Sequence, residues 1–504
     1  MPSIKKFKRK IQLKILDDEF LEVIHESTLK ILQECGVKVY SEKALKVFSE
    51  AGAEVKKQIV KIPDYLVEES LKKASKRFIL CGRSPGYDLK LDGEHTYVFT
   101  NGTCTTTIDL ETGKRRRSIL KDLIDTTILA DALECIHGYY PFVVPSDMPE
   151  HLHGLYELKT ALNYTEKHIM LGSTSKPEEA TLQVKMAKTV VGGIDELRKR
   201  PIISAVICTV PPLVLEKGGC EAAIVFAEAG IPVRGMSMPL IGLSSPITLA
   251  GALVIANAEL LSLLTLVEQV KPGAPFMYAL DPMAMDIRRG DFSPSLPEAT
   301  LLNIAGIQLA RKYELPCGDG FSSASKVPDS QAAYENTVCA MAMILAGADV
   351  ISGPGGLESY NTLSYEQFIV DYEACRMILK LTEGFSVNEE TLALNLILEE
   401  GPEGNFISKP HTLKHAKNCW IPFLSDISSY DTWIESGRKD ATSRAKAIVK
   451  EILSTHKPEP LEPEIKAELE RIIEEGDKLI PCLLYTSDAA DDGESVDLGG
   501  RRII

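Results

Sequence analysis

Between residues 95 and 385 the chain alternates short apolar runs with longer stretches of helical periodicity. The apolar runs fall near 97–100, 139–145, 168–172, 202–210, 231–238, 275–281, 315–320 and 349–353. Their length and their bounding turn residues suit strands buried on both faces. Between them, 119–134, 152–164, 178–191, 215–229, 247–268, 297–313, 330–346 and 365–382 carry apolar residues at the spacing of a helix with a buried face. Eight strands, each followed by a helix, predict a parallel (β/α)8 TIM barrel of the α/β class. The count turns on the first run. Tyr97 to Thr100 meets Asn101-Gly102 and then Thr105 to Leu110, which reads as a hairpin over about 97–117. If that run belonged wholly to the hairpin, a doubly wound sheet would be the alternative.

Outside this region, residues 17–75 read as helices. Leu21, Ile24, Leu29, Ile31 and Leu32 fall roughly on one face, and Ile62-Pro63 opens a helix through Leu71. The organisation expected is an N-terminal helical and hairpin extension with 1–94 as its helical part, a barrel domain over 95–455, and a C-terminal helix over 456–481. Residues 482–504 change character abruptly from Cys482 and read as a non-native tail. Ile247 to Val267 is apolar enough to raise a membrane span. Asn257 and Glu259 inside it favour a buried barrel helix, because a carboxylate near mid-bilayer is costly.

Composition narrows the function. A net charge of -15 over 504 residues disfavours nucleic acid, whose binding rests on Lys and Arg neutralising phosphates. The basic run Lys114 to Arg117 follows Thr112-Gly113 and reads as a solvated hairpin strand. Eleven cysteines occur singly, and the Lys-rich N-terminus has no apolar signal core, so reduced thiols in the cytoplasm are expected. No metal site is expected: the histidines form neither H-E-x-x-H nor a zinc-spaced cluster. His411 and His415 are four apart and share a helix face, which reads as a structural or substrate-binding pair. Gly353-Pro354-Gly355-Gly356 lacks phosphate-loop spacing and reads as a tight turn, and there is no G-x-S-x-G elbow. Lys326 has the chemistry for a Schiff base, but it lies several residues beyond the nearest strand.

Barrel chemistry gathers at the C-terminal ends of the strands. Asp281, Asp319 and Glu358 stand at such ends, and Tyr97, Phe99, Tyr139, Tyr140, Phe142, Tyr278, Phe321 and Tyr360 lie at or near them. Carboxylates among aromatic faces suit a cation, which gains roughly 0.5–2 kcal/mol per good ring contact. The same aromatics also serve as packing.

In combination these segments resemble the trimethylamine methyltransferase family of corrinoid-dependent methyltransferases, over about residues 17–480. Val60-Lys61-Ile62-Pro63-Asp64-Tyr65-Leu66-Val67 precedes Ser75-Lys76-Arg77-Phe78, and Arg200-Pro201-Ile202 leads to Cys208 and Pro211-Pro212-Leu213. Gly230-Ile231-Pro232-Val233 leads to Met236-Ser237-Met238 and Asn257-Ala258-Glu259, and Lys326-Val327-Pro328-Asp329 to Gln331 and Glu335. The resemblance implies methyl transfer from an amine to the Co(I) corrinoid of a separate protein. Cobalamin would arrive on that partner and not be bound tightly, since no D-x-H-x-x-G signature is present.

Archaeal members carry pyrrolysine before Lys-Val-Pro-Asp. Here Phe321-Ser322-Ser323 stands there, with Ser322 in the best register and Phe321 one residue away. The branch without pyrrolysine is associated with quaternary amines such as glycine betaine, so a small quaternary amine is the implied substrate. A quaternary nitrogen is already cationic and leaves as a neutral amine, needing neither general acid nor Lewis-acid metal. The implied catalytic residues are Ser322, Glu358 and Asp319. The implied substrate-binding residues are Tyr97, Phe99, Asn101, Tyr139, Tyr278, Asp281 and Phe321, with Arg288, His411 and His415 for a betaine carboxylate. A homo-oligomer with no nucleic-acid or membrane partner is expected. The competing readings are a Schiff-base aldolase-type barrel using Lys326 and a non-catalytic barrel that binds quaternary amines.

Overall fold

A computed structural model describes residues 4–480. Its centre is a parallel barrel of Tyr97–Phe99 (β1), Gly138–Tyr139 (β2), His168–Ser173 (β3), Ile203–Cys208 (β4), Val233–Ser237 (β5), Phe276–Leu280 (β6), Gly318–Gly320 (β7) and Val350–Ser352 (β8). All eight coincide with the apolar runs of the sequence. β8 returns to β1 through Val350↔Tyr97, Ile351↔Val98 and Ser352↔Phe99, which rules out the open doubly wound sheet.

The first run is therefore a barrel strand, and the expected hairpin over 97–117 is displaced. Thr106–Ile108 pairs antiparallel with Arg115–Arg117, so the real hairpin turns through Asp109 to Lys114. Asn101-Gly102 makes no hairpin turn. Gly102 answers a different need, since a Cβ there would stand 2.3 Å from the Tyr140 ring.

One join in the barrel is thin. β6 and β7 share only the bridge Tyr278↔Cys317. Beyond it, Oδ1 of Asp319 accepts the Leu280 N–H at 2.9 Å, so a side chain satisfies a backbone donor that a longer ladder would have paired.

Alternation along the strands separates two cores. Tyr97, Phe99, Tyr140, Met170, Val206, Met236, Met277, Ala279 and Val350 form a cluster inside the barrel, joined by Leu80, Leu89 and Leu91 of the Phe78–Leu80/Leu89–Leu91 hairpin. A second, larger cluster fills the shell between strands and helices.

The Leu249–Val270 helix is long and apolar enough to cross a membrane, but 78% of its most apolar window is buried inside the protein. The polar residues singled out in the sequence have partners. Glu259 accepts from Thr209 Oγ1 at 2.6 Å, Ser237 Oγ at 2.8 Å and Leu213 N at 2.7 Å, and Asn257 Oδ1 accepts from Tyr278 Oη at 3.0 Å. The helices Asp18–Glu34, Glu42–Glu50 and Asp64–Lys73 all pack on it.

The N-terminal part is not purely helical, as the periodicity suggested. Val37–Val39, Glu54–Lys56 and Ile59–Lys61 form strands, and Val37–Val39 pairs in parallel with Val214–Leu215 at the barrel's edge. Three-residue strands are too short to show a period. At the other end, Ala441–Thr455 packs on Tyr365–Thr382, and Pro463–Leu479 packs on Pro177–Val191. The tail read as non-native, 482–504, lies outside the described residues.

Candidate active site

Two strand-to-helix connections build the mouth of the barrel. After β7 the chain continues through Phe321 and Ser322 to Asp329, whose carboxylate accepts the Ala332 N–H at 3.1 Å and caps the Ser330–Ala346 helix. The Lys326-Val327-Pro328-Asp329 segment thus ends on a helix cap. After β8 the chain runs through Gly353 to Gly356 and into Glu358, Ser359 and Tyr360. These last three all have positive φ, of 50°, 53° and 75°. Each non-glycine residue held there costs roughly 1–2 kcal/mol. Their three N–H groups are fixed by the neighbouring connection: Glu358 to the Ser325 carbonyl, Ser359 to the Ser323 carbonyl and Tyr360 to Ser322 Oγ, each at 2.9 Å. Strain fixed so firmly beside a strand end is characteristic of functional sites.

This loop sets Tyr360 over the barrel. Its hydroxyl donates to Oδ1 of Asp281 at 2.5 Å. Burial pushes the Asp281 carboxyl up to about 6, against the lowering pull of Tyr360 and of the Arg234 guanidinium. A Cβ at Gly320 would stand 2.9 Å from Asp281 Oδ2 and 3.2 Å from the Tyr360 hydroxyl, so glycine is required for the two to meet. Asn101 and Ser322 face each other across Gly356, whose absent Cβ would stand 2.2 Å from Asn101 Nδ2 and 2.9 Å from Ser322 Oγ. Ser322, Asn101 and Asp281 are all buried.

Arg234, on β5, lies beneath this cluster at 1% exposure. A guanidinium has five N–H donors. Here Nη2 donates to the Gly318 carbonyl at 3.0 Å, Nη1 meets only the Met170 thioether at 3.1 Å, and Nε has no partner. Among the described residues no carboxylate stands within ion-pair distance of it, yet its charge acts on Asp281, Asp319 and Tyr360. A buried cation so poorly matched is costly unless something else pairs with it.

The other residues singled out in the sequence are spread more widely. Asp319 lies in β7 at the thin join. Burial pushes its carboxyl up to about 8, and Oδ2 is buried without a partner. Glu358 belongs to the strained loop, but its carboxylate turns to Arg115 at 2.8 Å and to Thr362. Burial raises its carboxyl, and the bonds from Thr362 and Arg115 outweigh that and leave it below the usual range. Tyr97 and Phe99 line the barrel interior, packed against His137 and His168.

Tyr139 and Tyr278 point outward. Tyr139 Oη lies 3.2 Å from Thr126 Oγ1, and Tyr278 donates to Asn257. Phe321 also joins the outer core, against Gly353. Their inward neighbours are Tyr140, Ala279 and Ser322, one residue away in each case, as the strand period requires. Arg288 is exposed and pairs with Asp286, while His411 and His415 sit on the Pro410–Ala416 helix facing Glu390. Lys326 is exposed and donates to the Ala324 carbonyl at 2.6 Å, without the burial or neighbouring cation that would activate a Schiff-base lysine.

Sequence reasoning passed over Arg234. Its signal was available: one arginine at an inward register of an otherwise apolar strand, Val233-Arg234-Gly235-Met236-Ser237. It also passed over Glu157 and Glu179, which line a cavity of about 300 Å³ with Thr103, Gly172 and Ser173 on the same rim. Burial pushes Glu157 up to about 8 and Glu179 up to about 7. They come from different helices and share no sequence pattern.

The mouth thus offers a carboxylate under a tyrosine, a deeper unmatched guanidinium, and glycines that let the polar side chains meet. Comparison with known proteins gives this arrangement a context. The family described as trimethylamine methyltransferase (MTTB) matches residues 2–480. Trimethylamine methyltransferase MttB of Desulfitobacterium hafniense (strain DSM 10664 / DCB-2) is 38% identical over 461 residues, covering 91% of this chain and 93% of the relative. Glycine betaine methyltransferase of Desulfitobacterium hafniense (strain Y51) is 34% identical over 464 residues, covering 91% and 96%. Among solved structures, the Methanosarcina barkeri monomethylamine methyltransferase (MtmB) superposes with a TM-score of 0.55 at 12% identity, covering 93% of this chain and 90% of that one, a likeness of fold alone.

Proposed function

Because the chain belongs to the trimethylamine methyltransferase family, we propose that this barrel methyltransferase takes a methyl group from a small quaternary ammonium bearing a carboxylate, such as a betaine. A reduced corrinoid on a separate protein accepts it at the barrel mouth. The observation that carries the reading is the pair of opposite charges inside one barrel: Asp281 at the rim and unmatched Arg234 below.

Asp281 lies four positions beyond the residue that pairs with Arg234, Met277, or about 13 Å of strand. The Arg234 charge is felt at the Asp281 carboxyl, so the two groups act on one region of the barrel. The proposal sets the substrate carboxylate on Arg234 and the ammonium under Tyr360 beside ionised Asp281. The methyl groups then point outward, where a corrin must approach. The breaking C–N bond leaves its electron pair on nitrogen, so the amine departs neutral and no residue has to supply a proton. The site's task is to hold and aim one methyl carbon.

In this reading Asp281, Tyr360 and Arg234 touch substrate. Ser322, which the resemblance sets at the pyrrolysine register with Phe321 as the alternative, is a positioning residue: its Oγ holds the Tyr360 N–H. Glu358 steadies the same loop through Arg115, and Asp319 secures the join beneath. Arg288, His411 and His415 take no part.

The test is a spectroscopic panel. Purified protein is mixed with a Co(I) corrinoid and, in turn, glycine betaine, choline, tetramethylammonium and trimethylamine. Bleaching of the Co(I) spectrum is expected with the betaine and much less with the compounds lacking a carboxylate. No bleaching with any quaternary amine overturns the proposal.

A further inference from the structure

The stretch from Glu389 to Glu435 is held differently from the rest of the molecule. Its helices Glu389–Leu392, Leu394–Glu400, Pro410–Ala416 and Tyr430–Glu435 contain no buried residue. The stretch is anchored to the body at Trp420, Phe423 and Leu424, but its four helices bury little apolar surface to offset the entropy lost on ordering. Small units in this position are commonly stapled by a disulfide or a metal. All cysteines among the described residues are free. The ion pairs within the stretch, Lys409–Glu400 and Lys414–Glu390, lie near or at the surface, where such pairs hold weakly.

One cluster in this stretch has the right chemistry for a staple. His411 and His415 are one turn apart on the Pro410–Ala416 helix, with ring centroids 4.4 Å apart. Both turn Nε2 to Glu390: His415 stands 3.1 Å from its Oε1 and His411 3.2 Å from its carbonyl oxygen. One ligand atom from each of the three lies within 4.8 Å of the others.

We propose that Glu390, His411 and His415 bind one divalent transition-metal ion, zinc by preference, which ties residues 389–392 to the Pro410–Ala416 helix. Two imidazole nitrogens and a carboxylate oxygen are ligands zinc accepts, with water as the fourth. Zinc bonds of about 2.0–2.1 Å put tetrahedral neighbours about 3.3 Å apart. The three atoms need draw in only modestly, by side-chain rotation on an exposed surface. Lys414 Nζ, 2.7 Å from the same Glu390 oxygen, is displaced by the ion. This site is independent of the methyl-transfer reading.

The experiment strips the full-length protein with a chelator and titrates it with Zn²⁺ by calorimetry and with Co²⁺ by visible absorption. One equivalent per chain is expected, with a Co²⁺ spectrum lacking a thiolate band and slower hydrogen exchange over 389–416. The double variant His411→Ala/His415→Ala, whose changes are at the surface, keeps its circular dichroism and loses that equivalent. Glu390→Gln binds more weakly. No saturable uptake, a thiolate band from exposed Cys35 or Cys419, or an equivalent that survives in the double variant would each overturn the proposal.

Discussion

Tyr360 and Asp281, 79 positions apart in the chain, meet in a 2.5 Å hydrogen bond across the mouth of the barrel. The tyrosine reaches that point only because three consecutive residues take left-handed backbone geometry and are pinned there by the connection after β7. The contact therefore joins the ends of β6 and β8, and it titrates.

Asp281 has its carboxyl pushed up to about 6 by burial. Its ionised form is the one that attracts an ammonium group. kcat/KM for methyl transfer should therefore rise as pH increases through about 6 and level off above it. Asp281→Asn should lower the plateau and remove that limb. A steady-state pH profile of both proteins checks this, and an unchanged limb in the variant would contradict it.

Arg234 gives a prediction in which stability and activity part. Replacing a buried, poorly paired charge by an apolar side chain of similar length is often neutral or stabilising. Arg234→Met should keep or raise the melting temperature. It should also lose about 1.5–3 kcal/mol of charge-assisted hydrogen bonding to a substrate carboxylate, roughly ten- to hundredfold in kcat/KM. Activity on an ammonium lacking the carboxylate should change little. Thermal melts and the two-substrate comparison measure both sides.

Glu157 bears on stability against pH. Its folded carboxyl is raised to about 8 from an ordinary value of 4.5. Between those values the folded chain keeps a proton that the unfolded chain releases. This contribution is complete below pH 4.5 and is lost as pH rises through about 8. Glu157→Gln removes the dependence, so the variant should gain on the parent protein between pH 5 and pH 8 in urea unfolding.

Gly356→Ala should damage the site without touching its chemistry. The added methyl would stand 2.2 Å from Asn101 Nδ2 and 2.9 Å from Ser322 Oγ, and Ser322 holds Tyr360. Overpacking of this kind costs about 1–3 kcal/mol. A lower melting temperature together with a raised KM is the expected pair of readings.

How legible was all this in the sequence? The barrel was, because its signal is coarse: eight apolar runs at helix-length spacing survive errors of a residue or two at each end. Asp281, Asn101 and Ser322 could also be found, since they stand just past strand ends. The side a residue faces was harder to read. Tyr139 and Tyr140 differ by one position, and so do Tyr278 and Ala279, yet in each pair one member faces the interior and the other the helices. In runs apolar at nearly every position no alternation marks the phase. Asn101-Gly102 misled for a related reason: glycine there makes room for Tyr140, which a single sequence does not distinguish from a turn.

The Leu249–Val270 helix lies under a coat formed by the three helices of the first 75 residues. Removing that leading portion would do more than shorten an accessory. It would turn the outer face of a greasy helix toward water, a target for chaperones and for self-association. Attempts to trim the chain down to its barrel should therefore end in inclusion bodies, and an affinity tag is better placed ahead of an intact leading portion than in its stead.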